Sequence, residues 1–165
     1  EYLDIRSTII GVAERKPYRV NYELLVNSDW LVQRFSIQYE VHGITTSVSG
    51  KKKNGLWVID GQDAPGYTDY KFIDISLTPF TNTLPIRHLN LEIGQQREIE
   101  VIYIDVLEDL LRPARQRYTR TGEQVYKFET IPDDFEADIT VDASGFVEVY
   151  PSLFDKLGEH VTGPS

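Results

Sequence analysis

The chain has 165 residues, a formal charge of −9, 41% hydrophobic and 12% aromatic residues, and neither cysteine nor methionine. That apolar content can build a core without staples, and the length suits a single domain over 1–165. The lack of cysteine excludes disulfides, thiolate chemistry and cysteine-based zinc sites, and the acidic balance argues against nucleic acid or an anionic membrane surface as partner.

The absence of methionine at position 1 reads as a trimmed N-terminus. The longest apolar runs, such as Ile9–Ala13, fall far short of the roughly 20 residues that span a bilayer, so no integral membrane segment is expected. Cytoplasmic residence is the corresponding expectation.

Along the chain the dominant period is two, the period of half-buried strands. Tyr18, Val20, Tyr22, Leu24 and Val26 alternate with Arg19, Asn21 and Glu23. Phe35, Ile37, Tyr39 and Val41 form the next run, and Ile44 to Lys53 reads as a polar insert ending in a lysine-rich hairpin tip. Strand runs follow at Ile73–Leu77, at Leu89, Leu91 and Ile93, and at Ile99–Ile104. Val106–Leu111 is expected to form a helical turn before Pro113. Arg112–Arg120 reads as a polar loop or recognition surface. Runs at Tyr126 and Phe128, Ile139 and Val141, and Val147 and Val149 complete the pattern. Ser152–Gly158 suggests a short capped helix and the last five residues a frayed end.

Turn signals punctuate these runs at Asn27–Asp29, Asn54–Gly55, Asp60–Gly61, Gly94–Gln95, Thr121–Gly122, Pro132–Asp134 and Ser144–Gly145. Many short strands joined by close turns predict an all-β class: a curled antiparallel roll or barrel-like sheet. Tyr22-x-Leu24, Asp29 and Phe35-x-Ile37 recur 104 positions later as Tyr126-x-Phe128, Asp133 and Ile139-x-Val141. This suggests two similar halves, roughly 10–75 and 115–151, joined by the intervening segment.

Chemical signals are sparse. His42, His88 and His160 show no metal-ligand spacing, and no cofactor is expected. The carboxylates Asp133, Asp134, Glu136, Asp138 and Asp142 do not match a calcium loop and read as a turn and the wet face of a strand. Arg112, Arg115, Arg117 and Arg120, mixed with Tyr118, have the composition of a surface that recognises phosphates, carboxylates or sugar hydroxyls.

The unusual stretch is TPFTNTLPIR, residues 78–87. Thr78 and Leu84 each precede a proline and are expected to be extended. Thr81, Asn82 and Thr83 between those rigid joints can tie down the backbone or present their groups to a ligand. The stretch LTPFTNTLPIRHLNL resembles the signature of the bacterial putative glycolipid-binding family. The similarity extends over about Ile10 to Pro151, through Tyr22, Asp29–Trp30, Gly55–Trp57, Asp74, Gln116–Tyr118, Tyr126, Asp142, Gly145 and Tyr150–Pro151. His88 stands where the family usually has arginine, and Gly66–Lys71 departs from its pattern. The resemblance implies a curled antiparallel β roll of two similar halves and a glycolipid or other amphiphile as partner.

Three functions follow. In the first, the apolar roll holds an acyl chain while polar loops meet the head group, with Asp74, Thr78, Thr81, Asn82, Arg87, Arg117 and Tyr118 as candidate ligand-binding residues. In the second, Asp74 or Asp142 is a carboxylate base acting on a sugar or lipid ester, which requires Asp74, Arg87 and Arg117 to converge. In the third, the signature closes the roll or forms a homodimer seam without any ligand.

Overall fold

In the structure, a computed structural model that describes residues 1–132 and 134–163, the chain forms two sheets and one helix. The first sheet is an antiparallel meander of β1 (Tyr2–Ala13), β2 (Lys16–Asn27), β3 (Val32–Val41), β4 (Ile44–Lys53), β5 (Leu56–Ile59) and β6 (Gln62–Asp63). The second contains β7 (Phe72–Ile75), β8 (Gln96–Asp105), β9 (Leu110–Arg120), β10 (Val125–Ile131), β11 (Glu136–Val141), β12 (Val147–Tyr150) and β13 (Phe154–Asp155), in consecutive order. Helix α1 (Phe80–Leu89) joins β7 to β8. Those two strands run parallel, so they need a crossover rather than a tight turn, and α1 supplies it.

The alternation read in the sequence becomes register. On the inner face Tyr22 sits opposite Ile37 and Leu24 opposite Phe35, and all four are at most 2% exposed. The face continues onto β4, where Gly50 lies opposite Phe35. A Cβ at Gly50 would stand 2.3 Å from the Phe35 ring, so only glycine lets the ring lie across this strand.

The Ile44–Lys53 insert is therefore a core-forming strand, with its small residues under large partners. β1 pairs along β2 over its full length, although its sequence shows little alternation.

The second sheet curls into a half-barrel because it wraps α1. The helix bonds to Asp74 on β7, Tyr118 on β9 and Val147 on β12, strands spread across the whole sheet. All six residues from Thr81 to Ile86 are buried, as expected of a helix enclosed on every side. Leu84 belongs to the core cluster shared with the first sheet, through Trp57, Ile73 and Ile102. Ile86 belongs to the cluster of Tyr118, Phe128, Ile139 and Tyr150 inside the curl. One helix thus pins two cores together.

Several expectations are corrected here. TPFTNTLPIR is helical from Phe80, and Leu84 is helical although Pro85 follows it. The enclosure of Thr81–Ile86 and the side-chain bonds of Thr81, Asn82 and Thr83 outweigh the local preference against helix before proline. Leu89 ends the helix rather than starting a strand, Asn90 closes it in the left-handed region at φ 42°, and Ile93 is exposed.

In place of the helical turn expected over Val106–Leu111, residues 106–109 form the β8–β9 turn and Leu110 and Leu111 begin β9: Asp105 Oδ1 accepts from the amides of Leu107 and Glu108. Arg112–Arg120 is not a loop but most of β9. Ser152 adopts φ 63° in a turn, and Phe154–Asp155 pairs with β12, so the expected capped helix is absent. Asp133 of the acidic cluster and Pro164 and Ser165 of the tail lie outside the described residues.

The segments matched in the sequence lie on β2–β3 and β10–β11. Tyr22 faces Ile37 in the first, and Tyr126 faces Ile139 in the second. A common origin for the two units is a proposal.

Candidate functional site

A cleft of about 640 Å³ opens at the end of the half-barrel where β7, β8, β9, β10 and β12 approach one another. Its walls include the rings of Tyr70, Tyr103, Phe128, Phe135 and Tyr150, and its polar lining includes Asp74, Asn82 and Gln116. The interior of the curl, expected from the sequence to hold an acyl chain, is filled by α1. Open space remains at this mouth, and a second pocket of about 500 Å³ lies beside Arg87, Arg120 and Asp142.

β7 carries Asp74 toward α1, and in the parallel register Asp74 sits beside Tyr103 of β8. Tyr103 in turn sits opposite Arg112 of β9, whose guanidinium lies 4.8 Å from the Tyr103 ring centroid. Behind them runs a ring of side-chain hydrogen bonds. Thr81 Oγ1 donates to Asp74 Oδ1 at 2.8 Å, and Gln116 Nε2 donates to Asp74 Oδ2 at 2.6 Å. Tyr118 OH donates to Gln116 Oε1 at 3.4 Å and accepts from Asn82 Nδ2 at 2.8 Å. Since Thr81 and Asn82 are neighbours on α1, the circuit closes through the helix backbone. Thr78 stands next to it, sharing a 3.3 Å hydrogen bond with Tyr22 and accepting from the Phe80 amide at 3.2 Å.

Asp74 forms no ion pair among the described residues; its partners are neutral donors. Part of its residue surface still reaches the cleft, yet burial of the carboxyl raises its pKa above the ordinary value of 3.8, opposed by the bonds from Thr81 and Gln116. The phenols around it respond in kind. Burial pushes Tyr103 up to about 12, with the charges of Asp105 and Asp74 adding to the effect. Burial and then the Asp74 charge likewise raise Tyr118 and Tyr150. A carboxylate held by neutral donors in a ring-walled cleft can accept hydrogen bonds from a bound hydroxyl or amine.

Five of the seven candidate residues therefore meet: Asp74, Thr78, Thr81, Asn82 and Tyr118. Arg87 and Arg117 do not join them. Arg87, near the other end of α1, lies 4.2 Å from the Trp30 ring centroid and 5.6 Å from that of Phe146, and donates to the Ser144 carbonyl. Gly145 comes so close beneath it, at φ 84°, that a Cβ there would stand 3.1 Å from Arg87 Cγ. Arg117 is on the outer face of β9, 2.8 Å from Glu98 and 3.7 Å from Glu129. Asp142 shapes the β11–β12 turn: its Oδ1 accepts from the amides of Ser144 and Phe146 at 2.8 and 2.9 Å. His88 places Nδ1 2.7 Å from the Asp29 carbonyl and packs its ring against Phe72. The convergence required by the hydrolase reading is therefore not met.

Sequence reasoning passed over Tyr103, Gln116 and Tyr150, which line the cleft. Gln116 had a usable signal. If RPARQRYTR is read as a strand, parity puts Arg112, Ala114, Gln116 and Tyr118 on one face and Arg115 and Arg117 on the other. Tyr103 could have been found only by pairing β8 with β7, which needs the crossover helix.

A model of the family described as "Putative glycolipid-binding" matches residues 1–156. The crystal structure of a DUF1089 family protein from Pseudomonas aeruginosa superposes with a TM-score of 0.84 at 31% identity, covering 94% of this chain and 92% of that one. No curated protein matches the chain. No helix among the described residues is long and apolar enough to cross a membrane. By sequence and by fold, the chain belongs to the putative glycolipid-binding family.

Proposed function

We propose that the protein binds a glycolipid or related amphiphile at the cleft between β7, β8, β9, β10 and β12. The observation that carries this reading is the construction of the cleft: aromatic walls on one side and the Asp74–Gln116–Asn82 floor on the other. A volume of about 640 Å³ falls within the roughly 300–1,000 Å³ of small-molecule sites, and a few fixed polar groups among apolar walls are what orient such ligands. Tyr103 and Tyr150 stack against the rings of the head group, and Asn82 and Gln116 set its orientation. The alkyl part leaves through the mouth, along Phe135 and Leu153, which are 48% and 50% exposed.

The test is lipid extraction and mass spectrometry on protein purified without detergent, followed by calorimetric titration with an alkyl glycoside. The expected result is a retained amphiphile, or saturable one-to-one binding, that is lost in Tyr103→Ala. A protein that extracts empty and shows no saturable binding contradicts the reading.

A further inference from the structure

We infer that the head group held at this cleft is an uncharged glycosyl unit that donates a hydroxyl hydrogen bond to Asp74, and that phosphate-bearing lipids are rejected. This rests on the cleft reading above and narrows it to one class of head group.

Charge argues first. Among the described residues the cleft is lined by three carboxylates, Asp74, Glu100 and Asp134, against two guanidiniums, Arg112 and Arg115. Arg115 is already engaged, with Nη2 2.7 Å from Glu98. Arg112 remains, stacked on Tyr103 in a lining it shares with Asp74 and Glu100. The chain as a whole carries −9, so the surrounding field also opposes an anion.

The groups that normally receive phosphate are committed elsewhere. A helix N-terminus binds anions through free amides. Here the Phe80 amide donates to Thr78 Oγ1 at 3.2 Å and the Asn82 amide to the Pro79 carbonyl at 3.1 Å. Of the basic residues that the sequence singles out, Arg87 and Arg117 lie on other faces, stacked on Trp30 or beside Glu98, which leaves Arg112 and Arg115 in the cleft.

The floor is complementary to hydroxyls instead. Each Asp74 oxygen receives one neutral donor, from Thr81 or Gln116, and a carboxylate oxygen has room for another. A sugar hydroxyl supplies it without bringing charge. The faces of Tyr103 and Tyr150 beside it offer the flat apolar surface that a pyranose ring covers.

Two probes of equal alkyl length separate the alternatives: octyl β-glucoside and octyl phosphate, each titrated calorimetrically below its micelle concentration. Wild type is expected to bind the glucoside at least about tenfold more tightly than the phosphate, and Asp74→Asn to weaken the glucoside about tenfold while narrowing the gap. Glu100→Gln, at an exposed position of the cleft lining, tests the charge argument without disturbing the buried ring: it is expected to tighten the phosphate more than the glucoside and so to narrow the gap between them. Octyl phosphate binding as tightly as the glucoside, with both lost in Tyr103→Ala, overturns the head-group inference and leaves the cleft reading standing. No saturable binding of either probe, or binding indifferent to Tyr103→Ala, overturns both.

Discussion

The two ends of TPFTNTLPIR do different work. At the N-terminal end, Thr78, Thr81 and Asn82 connect to Tyr22, Asp74 and Tyr118 around a cleft with open space beside it. At the C-terminal end, Arg87 is held between Trp30 and Phe146 and bonded to the Ser144 carbonyl. Trp30 even takes φ 64°, costly for a bulky residue. The first end arranges polar groups beside the ring-walled cleft; the second closes two loops over a cation that borders a pocket of about 500 Å³ with Arg120 and Asp142. A single signature therefore serves as site and as joint, and its charged residue belongs to the joint.

Substitutions can break this division, and the largest effect is expected in the middle. Leu84 is 0% exposed in the core shared by both sheets. Leu84→Ala should cost about 2–5 kcal/mol of unfolding free energy in urea melts, with the ligand affinity of the folded fraction unchanged. Next comes the ring of bonds: Gln116→Leu leaves Asp74 Oδ2 without its donor and the Tyr118 hydroxyl without its acceptor and should cost about 1–3 kcal/mol, together with loss of alkyl glycoside binding by calorimetry. Arg87→Ala removes the stack on Trp30 and should cost about 1 kcal/mol while binding is retained. If Arg87→Ala abolishes binding at unchanged stability, the division between the two ends is wrong.

A subtler effect is the pH dependence of Asp74. Its folded-state pKa lies above the ordinary 3.8 because burial disfavours the charge. The native state therefore prefers the protonated acid. The resulting stabilisation is complete below the unfolded pKa and is lost as pH rises through the folded one. The phenols beside it do not blur the window, since Tyr103, Tyr118 and Tyr150 are all raised from 10.0. Paired urea melts should show wild type losing stability relative to Asp74→Asn as pH rises from acid toward neutral, then a constant gap. A gap that is constant throughout contradicts the burial argument. Smallest of all, Arg117→Ala should produce a slight loss of stability that shrinks with added salt, and no change in binding.

Alternation made most of the sheet legible. Val20, Tyr22 and Leu24, like Phe35 and Ile37, announce their buried face in sequence, and the turns at Asn54–Gly55 and Ser144–Gly145 fall where the residues place them. α1 was hidden because its local signals oppose it: Pro79 at its start, Pro85 within it, two threonines and no apolar stripe, with helix formation enforced by enclosure on all sides. β4 and β9 were obscured by polar composition, although parity alone separates buried Gln116 and Tyr118 from outward Arg117.

Site residues followed the same rule. Of the residues proposed from the sequence, Asp74, Thr78, Thr81, Asn82 and Tyr118 lie together, whereas Arg87 and Arg117 attracted attention for their charge, which says nothing about the face they occupy. Tyr103 entered only through the parallel pairing that places it beside Asp74.

The central claim is that binding belongs to the cleft end of α1 and not to the arginine end. Its most direct test is the dissociation constant of octyl β-glucoside for Tyr103→Ala beside that for Arg87→Ala, measured calorimetrically on folded protein. The account predicts at least about a tenfold loss in the first and a wild-type value in the second; wild-type binding by Tyr103→Ala with loss in Arg87→Ala would contradict it.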